Sequence, residues 1–333
     1  MKLSITHETV YDYSPAVETA QHMVYLTPVH SAGQQLLSHR LTVTPVPAQV
    51  RSMLDVYGNT RSFFSLQVAH RHLRVTGNSE VLTLTSTLPE STLGWENARE
   101  SFRFRAGAVF DAANEFVFAS PMVPRQNEFA HYARPSFLPS MALLDSAMDL
   151  MHRIHADFVY ESQSTEVNTP ALQALMQRKG VCQDFAHIFV ACLRSLGLAA
   201  RYVSGYLLTE PAPGTVKLKG SDASHAWASV YVPDLPVGQR WVHLDPTNDR
   251  AGWHCPGEDY VLLAVGRDFS DVSPMRGVIH GGASHILTVG VTVEPVPMSP
   301  PMAQGQSQNQ SQGTNQSQSL NQGQTPMVFQ LPR

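Results

Sequence analysis

Charge, cysteine and long apolar runs are all scarce in this 333-residue chain. Only 15% of its residues are charged, against roughly 25% in an ordinary globular protein. With 23 Lys+Arg and 27 Asp+Glu the formal net charge is −4. So mildly acidic a chain lacks the basic stripe by which nucleic-acid binders hold phosphates, and nucleic acid is excluded as a partner. No stretch approaches the ~20 apolar residues of a membrane-spanning helix, so no membrane partner is expected. Three cysteines cannot build a disulfide scaffold, and one thiol is left over in any pairing. There is no H-E-x-x-H and no paired C-x-x-C, so a zinc enzyme is a poor fit, and neither metal nor cofactor is expected. Met1 to Glu8 alternates polar and apolar residues and meets charge before an h-region could form, which does not read as a secretory signal. Free thiols without an export signal point to the cytoplasm.

What is present is enough apolar material for a sizeable core, 43% of residues, together with fifteen histidines. Residues 1–95 read as an all-β, sandwich-like domain. Runs such as Arg40-Leu41-Thr42-Val43, Phe63-Phe64-Ser65-Leu66 and Val81-Leu82-Thr83-Leu84 are separated by turn residues, including Tyr57-Gly58-Asn59 and Gly77-Asn78. Asp55 with Gly58-Asn59 reads as a hairpin turn. Residues 96–139, with scattered aromatics and prolines, read as an ordered connector. From Ser140 the apolar period becomes helical through Leu143, Leu144, Ala147, Leu150, Met151 and Ile154. A core domain is expected over 140–297, including the last strands. Between Gln304 and Gln324, 16 of 21 residues are Gln, Asn or Ser, so 298–333 is expected to be a disordered tail.

The chemistry concentrates between Asn168 and Asp249. Thr169-Pro170 opens one helix, Gly180 closes it, and a second starts at about Cys182 with the stripe Phe185, Ile188, Phe189, Cys192 and Leu196. A thiol at a helix start meets unpaired N–H groups and the positive end of the dipole, which stabilise a thiolate. The same groups suit a developing oxyanion. Such a nucleophile needs a base, and the base an orienting group. Ser224-His225-Ala226-Trp227 begins one strand and Trp241-Val242-His243-Leu244-Asp245 ends another. An antiparallel pair would set His225 beside Asp245. The order is Cys182, His225 after 43 residues, then Asp245 after 20 more, the order of papain-like sites.

These motifs resemble the bacterial transglutaminase-like family. Gly180-x-Cys182-x-x-Phe185-Ala186, Ser224-His225-Ala226-Trp227 and Trp241 to Thr247 match its three signature segments, and Ala200 to Tyr206 matches its core strand. The resemblance implies an α+β fold: a papain-like, transglutaminase-like core with the nucleophile at a helix start packed on an antiparallel sheet, preceded by an N-terminal all-β domain. It implies Cys182 as nucleophile, His225 as general base and acid, and Asp245 orienting the imidazole. The expected activity is cysteine-dependent acyl transfer on glutamine or peptide amides through a thioester. Water as acceptor would make it a peptidase or amidase, and a non-catalytic binding module is a further alternative. A protein or peptide is the expected substrate. Gln183, Asp184, Tyr206 and Trp227 are the candidate substrate-binding residues, although Asp184 reads first as a helix-start charge and Trp227 as packing beside the site. No acidic calcium loop is visible. Cys192 and Cys255 read as bystanders, and His187, five residues beyond Cys182, as structural.

Overall fold

The computed structural model describes residues 1–85, 87–107, 109–161, 166–209, 224–282 and 284–297. The Gln-rich tail lies outside these residues. Five strands come first: β1 (Lys2–Val24), β2 (Gln34–Thr44), β3 (Gln49–Leu54), β4 (Thr60–Leu66) and β5 (His70–Thr83). Helices α1 (Trp95–Ser101), α2 (Asn127–Ala133) and α3 (Leu143–Asp157) follow. Next come the short strand β6 (Val159–Tyr160), α4 (Ala171–Gln177), the short strand β7 (Lys179–Gly180) and α5 (Cys182–Ser195). Strands β8 (Ala200–Leu207), β9 (Ser224–Tyr231), β10 (Trp241–Asp245), β11 (Arg250–Gly252) and β12 (Tyr260–Gly266) form the second β region. The short helix α6 (Phe269–Val272) leads to β13 (Met275–Gly281) and β14 (Ser284–Pro295). No helix among the described residues is long and apolar enough to cross a membrane.

The N-terminal strands make one antiparallel sheet in the order β2-β5-β1-β4-β3. β1 accounts for this. Its 23 residues pair with β5 and β14 along the first half, and with β4 and β13 along the second. Leu3, Ile5, His7 and Thr9 alternate inward, the period of two that a half-buried strand requires. β13 and β14 therefore belong to this sheet, which corrects the core boundary drawn at 140–297. Without β14 the first half of β1 would present an unpaired edge. Val291 and Val293 also bury against Leu3 and Ile5.

The second sheet is antiparallel in the order β11-β10-β9-β8-β12. Its inner strands are buried along nearly their whole length because both faces are covered. On one face Ala228 and Val230 of β9 meet Ile188, Phe189 and Cys192 of α5. The stretch 96–139 is more than a connector. Ala98, Phe129, Tyr132, Ala133 and Phe137 bury in the same cluster as α3 and α5, so it supplies part of the helical layer.

The two sheets meet along β12, an edge strand of the second. Two side-chain amides from the N-terminal sheet satisfy that edge as a neighbouring strand would. The Leu262 N–H donates to Gln34 Oε1 at 2.7 Å, and Gln34 Nε2 donates to the Leu262 carbonyl at 2.8 Å. Asn59 repeats the pattern on Val265, with both bonds at 2.8 Å. Asn59 is held by the Asp55 turn, whose carboxylate accepts from the N–H groups of Tyr57 and Asn59. Gly58 adopts φ +83° there, a conformation that favours glycine. The turn read from the sequence is thus also a clamp between the halves.

Candidate active site

Helix α5 begins where the sequence motifs place it, at Cys182, but its start is shaped by other residues than expected. Arg178, at φ +56°, ends α4, and Gly180 lies in β7. Gly180 instead leaves room for a carboxylate, since a Cβ there would come within 2.6 Å of Asp184 Oδ2. The Asp184 carboxylate folds back over the first turn of α5 and accepts the Val181 N–H at 2.8 Å. That pairing leaves the first-turn N–H groups of α5 without intrahelical acceptors beside Cys182. Cys182 is half-buried, whereas Cys192 and Cys255 are buried.

β9 and β10 pair antiparallel with Ala228 opposite Leu244. His225, Trp227, Ser229 and Tyr231 alternate onto the face of the sheet away from α5, as do Trp241, His243 and Asp245 on β10. His225 Nε2 lies 2.6 Å from Asp245 Oδ2. With Nε2 committed to the carboxylate, Nδ1 is the nitrogen left for the Cys182 thiol, whose interaction with the ring helps to raise the imidazole. Asp245 is fully buried, and further donors hold it: Asn248 Nδ2 and the Tyr260 hydroxyl reach Oδ2 at 2.8 Å each, and the Thr247 N–H reaches Oδ1 at 2.9 Å. Trp227 stacks on the imidazole with ring centroids 6.0 Å apart. Its Nε1 donates to His243 Nδ1 at 2.8 Å.

Comparison with known proteins shows the family of the chain. Residues 3–82 match the bacterial transglutaminase-like N-terminal region, and residues 131–246 match the transglutaminase-like superfamily core. An uncharacterized protein of Mycobacterium tuberculosis is 40% identical over 298 residues, covering 88% of this chain and 92% of that protein. The chain belongs to the transglutaminase-like superfamily. A Mycobacterium leprae protein, also uncharacterized, is 29% identical over 88% of this chain and 98% of its own length. A shorter match, 35% over 75 residues, joins 22% of this chain to 9% of a Rattus norvegicus peptide-N(4)-(N-acetyl-beta-glucosaminyl)asparagine amidase. Among solved structures, a candidate cysteine protease from Cytophaga hutchinsonii superposes with a TM-score of 0.64 at 19% identity, covering 90% of this chain and 93% of that one. The fold is thus a transglutaminase-like core joined to an N-terminal β region.

The electrostatics of this transglutaminase-like site favour an ion pair. Burial alone would push His225 down, but the Asp245 charge, its hydrogen bond and the neighbouring thiol together raise the imidazole to about 10. Burial would likewise raise Asp245, yet the His225 charge and the hydrogen bonds from His225, Asn248 and Tyr260 hold it below the usual carboxylate range. An imidazolium beside a thiol at a helix start suits a thiolate nucleophile. Burial pushes both other thiols up, Cys255 to about 12, which keeps them protonated.

The substrate-binding candidates separate. Gln183 stays half-exposed next to the thiol, its amide donating to the Val167 carbonyl at 2.9 Å. The other three are corrected. Asp184 is buried and occupied by the helix cap, so it does not face substrate amines. Tyr206 is buried between the sheets, its hydroxyl bonded to His7 Nδ1 at 3.0 Å. Trp227 is buried beneath His225 and supports the ring instead of meeting substrate. His187 is also buried, and its Nε2 accepts the Phe269 N–H at 3.2 Å. Four residues escaped the sequence reading. Asn248, three positions past Asp245, was legible in the Asp-Pro-Thr-Asn turn. Tyr260 reaches the carboxylate from β12, and Tyr160 and Tyr202 lie close enough to Cys182 for its charge to raise their hydroxyls further than burial does. Spacing along the chain carries no signal for these three.

Proposed function

We propose that this protein is a cysteine-dependent acyl transferase acting on glutamine or peptide amides. The observation that supports it most directly is the 2.6 Å contact from His225 Nε2 to Asp245 Oδ2, which leaves Nδ1 of the ring for the half-buried Cys182. In this reading the Cys182 thiolate attacks the amide carbonyl and a C–S bond forms. The first-turn N–H groups of α5 steady the oxyanion. The C–N bond then breaks as the His225 imidazolium gives its proton to the departing amine. His225, now neutral, takes a proton from the incoming acceptor, which attacks the thioester and releases Cys182. A primary amine as acceptor gives transamidation, and water gives hydrolysis. The local match to an amidase favours water as the second reading. A protein or peptide is the proposed substrate, and the unpaired state of all three cysteines supports a reducing compartment such as the cytoplasm.

The test is to incubate the protein with a glutamine peptide and a labelled primary amine, and to follow label incorporation, ammonia release and a thioester on Cys182 by mass spectrometry. Transamidation gives label and ammonia in equal amounts; hydrolysis gives ammonia without label. Cys182→Ala should abolish both. Turnover that survives in Cys182→Ala refutes the proposal.

A further inference from the structure

A second cavity, of about 520 Å³, opens on the same face of the core sheet as His225 but toward the opposite end of β9. Tyr57 enters it from the Asp55 turn, Phe110 and Phe116 from the segment between α1 and α2, and Tyr231 and Trp241 from β9 and β10. Phe116 and Tyr231 both stand edge-on to Trp241, at 5.2 Å and 5.1 Å between centroids. Val56 and Phe110, 90% and 75% exposed, form an apolar mouth. This is the volume and lining of a small-molecule site.

Arg201 of β8 gives the cavity its polarity. Its guanidinium lies 4.3 Å over Trp241, and its Nε donates to Ser229 Oγ at 2.8 Å. Burial pushes it down to about 9. Among the described residues no carboxylate comes within ion-pair distance, and neither terminal nitrogen has a hydrogen-bond acceptor. A partly desolvated guanidinium is destabilising until an anion meets it, and its free fork matches a carboxylate. The cavity's own acids are engaged elsewhere. Asp111 accepts from the Tyr231 hydroxyl and the Ala113 N–H, and Glu115 lies 4.0 Å from Arg267. Their charges oppose a multiply charged guest such as a phosphate ester, while a single carboxylate on Arg201 is tolerated.

We propose that this cavity binds a small acid carrying one carboxylate on a planar apolar body, the carboxylate on Arg201 and the body among Trp241, Phe116 and Tyr57. The site is separate from the thiol. Ser229, opposite Arg201, is four residues from His225, or about 13 Å along the strand. A free aromatic acid and a peptide ending in an aromatic residue present the same chemistry.

The test uses the full chain and isothermal titration with 2-naphthoate, its uncharged analogue 2-naphthamide, the dianion 2-naphthyl phosphate, and a tripeptide ending in phenylalanine. Naphthoate or the tripeptide should bind at least about tenfold more tightly than naphthamide and naphthyl phosphate, a gap of about 1.4 kcal/mol. Whichever of the two binds more tightly identifies the source of the carboxylate. Arg201→Gln should remove the preference for the acid. Because that residue also packs on Trp241, Phe110→Ala at the exposed mouth serves as the second variant and should weaken binding severalfold in a folded protein. Cys182→Ala should bind as the parent does. Carboxylate binding no tighter than the amide, binding weaker than about 10 mM, or loss of binding in Cys182→Ala would each overturn the proposal.

Discussion

Replacing Asp245 by asparagine changes one atom and should disable the site. In the native structure Oδ2 receives His225 Nε2 at 2.6 Å, Asn248 Nδ2 at 2.8 Å and the Tyr260 hydroxyl at 2.8 Å. The Thr247 N–H keeps the Oδ1 position an acceptor, so the asparagine NH₂ must point at the other three groups. His225 can then satisfy Nε2 only as an acceptor, with its proton on Nδ1. That tautomer presents an N–H to Cys182 where an acceptor is needed. The substitution also removes the charge that keeps the buried imidazole protonated up to about 10. Loss of the right tautomer in a comparable triad costs on the order of 10⁴ in rate, or about 5.4 kcal/mol. Breaking a buried pair from one side adds about 3–5 kcal/mol of lost stability. Two measurements check this: single-turnover acylation of Cys182 by a glutamine peptide, and NMR of the His225 ring nitrogens across pH, which needs no substrate. The parent ring should stay doubly protonated through pH 8, and the Asp245→Asn ring should be neutral there. A parent His225 that titrates near 6.5, or a rate loss below about tenfold, refutes the reasoning.

Three further outcomes are expected. His225 is raised above its ordinary 6.5, so its contribution to stability is complete below about 6.5 and fades as pH rises toward 10. Asp245 is lowered, so its contribution is present above 3.8 and fades as pH falls below that; urea unfolding across pH should show both limbs in the parent and neither in a His225→Ala, Asp245→Ala double variant. Asn59→Leu leaves the Val265 N–H and carbonyl unpaired at a buried edge, at about 1–3 kcal/mol each, so chemical denaturation should report a loss of about 2–6 kcal/mol; a loss below about 1 kcal/mol means that water replaces the amide. Gly205→Ala would put a Cβ 2.2 Å from the Val261 carbonyl oxygen and 2.5 Å from the Trp227 ring. The backbone contact cannot yield cheaply, and a destabilisation of about 2–3 kcal/mol should appear in thermal unfolding, with His225 disturbed through Trp227.

Much of the strand–helix unit that carries the candidate site was readable in the chain because its cues are local. Cys182 follows a helix break and precedes an apolar stripe, and both are short-range patterns. His225 and Asp245 sit at the ends of two strands farthest from the loop 233–238 that joins them, so antiparallel pairing alone brings them together. Three of the four substrate-binding candidates, Asp184, Tyr206 and Trp227, are buried for a reason the chain does not show. Nearness to Cys182 in sequence does not say which side of a helix start a carboxylate folds toward, and Asp184 turned to cap Val181. Tyr206 and Trp227 lie on strands covered on both faces, where no alternation shows which face borders a cleft.

The residues by themselves determined the identity and order of Cys182, His225 and Asp245, and the helix and strands that carry them. Helix starts, strand ends and turns follow from interactions a few residues long. Only the tertiary structure decided that β14 closes the edge of β1, that Gln34 and Asn59 stand in for a strand beside β12, that Tyr260 fixes the carboxylate, and that Arg201 faces a cavity with no counterion among the described residues. The partners in the first three lie from 15 to about 290 residues apart, and an orphaned guanidinium is defined by what fails to come near it. Loop closure is nearly indifferent to which distant segment arrives. The choice is made by which packing buries the apolar faces while leaving the fewest backbone groups unpaired.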